Sequence, residues 1–267
     1  MHLKELHIYP IKSARGISLK TARLDARGLE LDRRWMLVDE NGSFLTQRKI
    51  PRLALLHVEV REGHLAVQTD GLQELTVPFR PESGVARRVR VWEDTVDAFD
   101  AGDDAARWFT SMMGRSCRLV HMADEAHRIA DLRYARQESL VSFADAFPLH
   151  LSSQGSLDDL NSRLAEPVTM DRFRPNLVID GCSPYEEDTW ERIQIGPTTF
   201  HVAKPCARCA VPTVDQVTGK RGVEPLRTLE SYRTRNGKVH FGQNLIHEGK
   251  GPLRVGDPLT VLSLKTT

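Results

Sequence analysis

Cys206 and Cys209 stand in the run Lys204-Pro-Cys-Ala-Arg-Cys209, and Val214-Asp-Gln-Val-Thr-Gly219 follows closely. A Cys-x-x-Cys unit serves three chemistries. Structural zinc needs two further ligands, usually a second close pair, and only scattered histidines could supply them here. A dithiol redox pair of the thioredoxin kind opens a helix after a strand, whereas an apolar, β-branched stretch at 211–214 follows instead. A single thiolate on a soft metal is the third, with Arg208 placing a positive charge beside it. Against all three stands a pair of buried, inert cysteines. Spacing alone leaves the four readings open.

A second set of residues is spread along the chain. Tyr9-Pro-Ile-Lys-Ser13 puts a lysine and a hydroxyl just after a strand end, and Leu31-Asp-Arg-Arg-Trp35 and Thr46-Gln-Arg-Lys49 place arginines near strand termini. Phe173-Arg-Pro-Asn176 presents Arg174 and Asn176 on either side of a proline. Phosphate or carboxylate suits such groups, because arginine forks bidentately and turn amides accept anions. Taken singly, each is an ordinary solvated charge. Asp145, in Phe143-Ala-Asp-Ala-Phe-Pro148, either receives the N–H groups of a heterocycle or caps a turn. Asp188 and Trp190 close a loop, and Phe241-Gly-Gln-Asn244 puts a glycine inside a strand-like run, as a bulge or a close ligand approach requires.

The elements that must position these groups are mostly strands. Leu3, Leu6 and Ile8 lead into Tyr9-Pro10; 35–38 and 44–46 read as a hairpin around Asn41-Gly42; 53–60 and 65–67 repeat the pattern, and 85–91 alternates. Many short strands at close spacing indicate a barrel or sandwich. Three helices are expected: 103–113, stopped by Gly114; about 156–165, started near Ser153 or Gly155; and 224–233, with Pro225 in its first turn. The polar stretch 123–138 reads as a surface connection, and 177–179, 193–195, 199–202 and 259–262 as further strands.

Composition narrows the function class. The 267 residues suffice for one large core or two smaller ones, and a boundary near residue 115 gives domains of 1–115 and 116–267. With 37 Lys and Arg against 36 Asp and Glu the net charge is +1, which argues against a broad nucleic-acid surface. Four cysteines are too few for a disulfide scaffold of this size. The first residues lack a signal peptide's apolar region, and no apolar run approaches the roughly 20 residues of a membrane span, so a cytoplasmic, unanchored protein is expected.

Taken together and in order, these segments resemble the MOSC family, most nearly the branch with bacterial YcbX and the mitochondrial amidoxime-reducing components. Tyr9 to Ser13, Gly28-Leu-Glu-Leu-Asp-Arg33 and 42–52 resemble its N-terminal β-barrel. Arg172-Phe-Arg-Pro-Asn-Leu-Val178, Glu187-Asp-Thr-Trp190, the cysteine run, Phe241-Gly-Gln243 and Val255-Gly-Asp257 resemble its MOSC domain. The resemblance implies a mainly β fold with a few helices (α+β), a MOSC-type β-barrel core plus an N-terminal barrel-like domain. It also implies a molybdenum–molybdopterin cofactor with Cys209 as the catalytic metal ligand. Lys12, Ser13, Arg33, Asp145, Ala146, Arg174 and Asn176 match cofactor contacts, and Cys206, Ala207 and Arg208 belong to the loop around it. Ala146-Phe147 stands where the mitochondrial relatives carry hydroxyls, which leaves backbone contacts there. The implied activity is reduction of small N-hydroxylated compounds, with Asp215, six residues after Cys209, as a candidate proton donor or a turn residue. No cysteine follows Cys209, so electrons are expected from a separate ferredoxin-, flavin- or haem-type donor, with neither nucleic acid nor membrane as partner. The rival reading is a carrier that delivers the cofactor, or a sulfur atom as persulfide; a structural zinc protein is the third.

Overall fold

The computed structural model describes residues 1–80, 84–134 and 138–266. Its main sheet runs in the order Leu259–Leu264, Trp190–Ile195, Thr198–Ala207, Lys238–Glu248, Leu149–Ser153, Leu177–Asp180, His2–Ile8 and Ile17–Leu19, curled into a half-barrel, with Thr234–Arg235 beside Lys238–Glu248. Pairing is antiparallel except between Leu149–Ser153 and Leu177–Asp180. That parallel step needs a crossover, and α2 (Gln154–Asn161) supplies it. A four-stranded sheet (Trp35–Val38, Arg118–Met122, Asp94–Asp100, Ala86–Val91) and two three-stranded sheets complete the mainly β architecture.

Strand pairing cuts across a division near residue 115. His2–Ile8 pairs with Leu177–Asp180 in the main sheet, and Thr21–Asp25 pairs with Pro252–Arg254. Leu3, Leu6, Ile8 and Leu24 accordingly share one core with Leu149, Leu177, Trp190 and Leu245. A second core, around Trp35, Leu53, Leu65 and Phe109, lies before that division except for Cys117 and Leu119 just past it.

Helix α1 (Asp103–Met113) matches its sequence signal and ends on left-handed Gly114. The second helix is shorter than expected. Ser153 caps its start, and the Asn161 side chain bonds both Val168 N and Val168 O, turning the chain back over 162–169. Helix α3 (Leu226–Arg233) begins after Pro225, with the Glu224 carboxylate accepting from Thr228 N. Pro51–Leu55 forms a 3-10 turn rather than strand, and 44–46 contributes a single bridge, Val38 to Phe44, because Phe44 N bonds Arg90 O. In the stretch 123–138, of which 135–137 lie outside the described residues, Ala126, Arg128 and Ala130 are buried, so it is not merely a surface connection.

Candidate cofactor site

The first strand ends at Tyr9-Pro10, and the turn that follows carries Lys12 and Ser13. Lys12 is buried; its Nζ donates to Phe143 O at 2.7 Å and to Asp145 Oδ1 at 2.5 Å. Burial pushes the ammonium below the usual lysine range, and Asp145 restores part of the loss.

Beside it, buried Asp32 accepts from Tyr9 N and from Arg33 Nη1. Arg33 also donates to Asn176 Oδ1 at 3.1 Å and Arg174 O at 3.2 Å. Arg174 donates to Ala14 O at 2.6 Å. Both guanidinium groups lie over the Tyr9 ring, 4.3 and 4.2 Å from its centroid. Burial, and then Arg33, disfavour the charge on Arg174, so an anion between these groups would offset a real electrostatic cost. Ser13, Arg33 and Arg174 all adopt left-handed backbone, φ 70°, 50° and 54°. Such residues cost of order 1 kcal/mol each and gather at ligand sites.

The cysteine run arrives from the far end of Thr198–Ala207. Arg208 Nη1 donates to Cys206 Sγ at 3.1 Å, Nη2 to Phe173 O at 2.8 Å, and buried Nε has no partner among the described residues. His150 Nε2 lies 3.4 Å from Arg208 Nη1. Burial, reinforced by Arg208 and Arg33, holds His150 well below the usual histidine range, so it is a neutral neighbour.

One cavity gathers these groups: Lys12, Ser13, Arg33, Asp145, Ala146, Arg174, Cys206, Arg208 and Cys209 line it, joined by Thr46, Arg48, His150, Phe173 and Asn244. Three expected residues do not line it. Asn176 is buried behind Arg33, where its side chain accepts from Arg33 and from His150 N and donates to His7 O. Ala207 is exposed at the end of its strand, opposite His240. Asp215 lies in a neighbouring groove of about 820 Å³. Its carboxylate accepts from Thr218 N, Thr218 Oγ1, Val217 N and Arg172. The Thr218 amide first, opposed by partial burial, holds it below the usual carboxylate range. A carboxylate so held has no proton to give near neutrality, and the turn role accounts for its bonds.

His150 and Arg128 carry no motif. Alternation could have found His150: Leu149 and Leu151 face the core, so the residue between them faces the cavity. Gly242, read as a bulge or a ligand approach, lies where the pairing of Lys238–Glu248 with Thr198–Ala207 shifts register, Pro205 opposite Gln243 and Ala207 opposite His240; a Cβ there would also meet His150 Nε2 and Leu151 O at 2.5 Å.

The enclosed space is about 130 Å³, below the roughly 300–1,000 Å³ of whole small-molecule sites. It admits the anionic or metal end of a ligand. The donor set fits a molybdenum–pterin cofactor at those ends: cysteine sulfur for a soft metal, lysine and arginine for phosphate, and one buried guanidinium N–H still unpartnered. Among the described residues no group of three or more His, Cys, Asp or Glu could hold a metal ion. Cys209 leads into the 3-10 turn Val211–Thr213, not the helix of a dithiol oxidoreductase.

Comparison with known proteins agrees with this fold. Residues 1–116 match the MOSC N-terminal beta barrel domain and residues 138–260 the MOSC domain. The chain is 37% identical to mitochondrial amidoxime-reducing component 1 of Mus musculus, over 97% of this chain and 81% of that one. It is 35% identical to the Homo sapiens protein of that name, over 97% and 82%. Molybdenum cofactor sulfurase of Oryza sativa is 34% identical over 93% of this chain, but over only 33% of its own length. The chain therefore belongs to the MOSC family, in the two-domain form with an N-terminal β-barrel. Among the described residues no helix is long and apolar enough to cross a membrane.

Proposed function

We propose that this protein is a molybdenum-cofactor-dependent reductase of N-hydroxylated compounds (hydroxylamines, amidoximes, N-hydroxylated bases) that takes its electrons from a separate donor protein. The observation that carries this reading is that Cys209 shares one cavity with Lys12, Arg33 and Arg174, in a chain about as similar to proteins called amidoxime-reducing components as those percentages state. Cys209 holds the metal. Lys12, Arg33 and Arg174 hold the phosphate end, with Ser13, Asp145 and Ala146 beside them. Arg208 fixes the cysteine loop through Phe173 O and keeps a charge near both thiols. The bound molybdenum centre supplies the two-electron redox chemistry. Overall, an N–OH bond breaks and an N–H bond forms; two electrons and two protons enter, and water leaves.

A carrier reading is favoured by one observation: the partly exposed Cys206 thiol accepts from Arg208, as a sulfur-bearing thiol could. The deciding experiment uses protein from a cofactor-competent host, with metal and pterin analysis and benzamidoxime reduction under chemical and reconstituted donors. Turnover by the wild type, lost in Cys209→Ala together with bound molybdenum, is the expected result. A cofactor-loaded wild type that reduces nothing under any donor makes it a carrier. Zinc without molybdenum overturns both.

A further inference from the structure

Three stretches of the chain, 6–24, 41–58 and 216–223, carry no acidic residue, although 36 of the 267 residues are Asp or Glu. The fold brings the three together beside the cofactor cavity. Gln47 Nε2 donates to Ser13 O at 2.8 Å, and the buried Gln47 and Gln216 side chains meet at 3.3 Å. Arg221 Nη2 donates to Gln47 O and Arg48 O. Gly219 packs on the turn Pro51–Leu55, where an added Cβ would lie 3.5 Å from Arg52 Cα. Arg15 N bonds Leu56 O, and its guanidinium reaches His57. The junction is tied to the metal end as well. Cys209 leads through Val211–Thr213 into 216–223, and Gly222 N donates back to Thr213 O at 2.9 Å.

Arg15, Arg48, Arg52, Lys220 and Arg221 are thereby gathered in one place. Among the described residues none of the five meets a carboxylate at ion-pair distance, whereas nearby Arg172 and Arg227 are paired with Asp215 and Glu224. Arg52, Lys220 and Arg221 are exposed, and Val217, in the same loop, is 73% exposed. Like charges repel, so the cluster does nothing for the stability of a nearly neutral chain. Only Arg48 of the five lines the cavity, so the cofactor's phosphate does not account for the others. A membrane suits the face poorly, because turns and a 3-10 segment with single valines replace the apolar side of an amphipathic helix. We propose that this face is the docking surface for the electron donor, and that the donor is a small redox protein with an acidic rim around its own cofactor. Unpaired cations steer such a partner and set its register, while the contact stays small enough to dissociate between electron deliveries. The donor then rests against the segment that continues from Cys209. The proposal deepens the reductase reading and rests on it.

The test takes two measurements on cofactor-loaded protein. Calorimetry follows binding of an acidic plant-type ferredoxin, with basic cytochrome c as the control. Benzamidoxime reduction is driven either by that ferredoxin with its reductase or by reduced methyl viologen, a small cation that needs no docking surface. The wild type is expected to bind the ferredoxin, less tightly as salt is raised, and not to bind cytochrome c. In Arg52→Glu/Lys220→Glu the Kd and KM for ferredoxin should rise about tenfold, while turnover with methyl viologen stays within about twofold. Arg52→Gln/Lys220→Gln gives the same comparison, on a smaller scale, should the reversed pair lose its fold. Ferredoxin binding that is insensitive to salt, unchanged in the variants or no tighter than that of cytochrome c overturns the docking surface, as does an equal loss with methyl viologen. Variants that lose binding to phosphatidylserine vesicles but keep ferredoxin binding overturn it too, and assign the face to a membrane. Salt-sensitive ferredoxin binding that the variants lose, in a protein that reduces nothing even with methyl viologen, keeps the surface and loses the reductase reading instead.

Discussion

Arg128 touches no ligand-facing surface, yet four of its bonds decide where the rim of the cavity lies. Its Nη1 donates to Ser142 O and Ala144 O at 2.7 and 2.6 Å, its Nη2 to Asp145 O at 3.1 Å, and its Nε to Asp94 at 2.8 Å. The group is buried, so removing it strands carbonyls that water cannot reach, each worth about 1–3 kcal/mol. Arg128→Ala should therefore lower the urea-derived stability by about 3–5 kcal/mol and reduce molybdenum per chain. Arg128→Lys should recover little, because one ammonium cannot fork to both carbonyls. Stability within about 1 kcal/mol of wild type would mean that the 142–145 backbone holds its own shape. The contrast with Cys209 explains what sequence can disclose. Cys209, Lys12, Arg33 and Arg174 sit in short local motifs with prolines, turns or spaced sulfurs, so their types and spacing were legible. Arg128 stands in a polar stretch whose charges look solvated, and only the fold turns it inward. Asp215 admitted two roles from its position, proton donor or turn residue, and only the bonds of its carboxylate to Thr218, Val217 and Arg172 favour the turn.

At the scale of elements, individual strands and α1 were readable because alternation and helical periodicity are local. Sheet order was not, because the pairing of Leu6 with Leu177 joins distant segments and no pattern within either names its partner. The antiparallel pairing of Lys238–Glu248 with Leu149–Ser153 shows what such packing demands. Gly242 lies at φ +74°, and an added Cβ would stand 2.5 Å from His150 Nε2 and from Leu151 O, and 2.6 Å from Ser152 Oγ. A side chain can yield; the Leu151 carbonyl, paired in the sheet, cannot without moving the strand. Gly242→Ala therefore combines left-handed strain with overpacking, about 2–4 kcal/mol in all, or a Tm fall of roughly 5–15 °C. It should also disturb the cavity, since His150 is the first atom displaced. Gly63 is the control: φ +75° with nothing within 4 Å of the added Cβ, so Gly63→Ala should cost about 1 kcal/mol. Equal losses at the two glycines would assign the whole effect to backbone conformation and none to the close approach.

For the whole molecule, the cavity is assembled from both halves. Lys12, Arg33 and Arg48 come from the first, and Asp145, His150, Arg174 and the cysteine run from the second. Anything that loosens the packing between these segments opens the site, and protonation of buried imidazoles is one such agent. Burial, reinforced by Arg34, pushes His121 down to about 4 beneath the Trp35 ring. Burial likewise lowers His150, His240 and His247. A histidine depressed in the folded chain is charged in the unfolded chain first. Between the unfolded value near 6.5 and the folded one, the unfolded chain binds more protons, so stability rises with pH. It is complete above about 6.5 and is lost as pH falls toward 4. For His121 alone the loss is of order 1–3 kcal/mol. Carboxylates held down by arginine, such as Asp100 and Asp124, add their own acid loss, but only as pH falls through and below the ordinary carboxylate range. Over pH 7 to pH 5 those carboxylates stay ionised, but buried Asp32 and Glu187, which burial pushes up, act in the opposite sense, so the histidine contribution is read from His121→Gln against the wild type in urea titrations at the two pH values. His121→Gln, which cannot be charged, should lose less stability over that interval than the wild type. A His121→Gln slope equal to that of the wild type from pH 7 to pH 5 would mean that this imidazole takes up its proton in the folded protein as readily as in the open chain, and that water already reaches it.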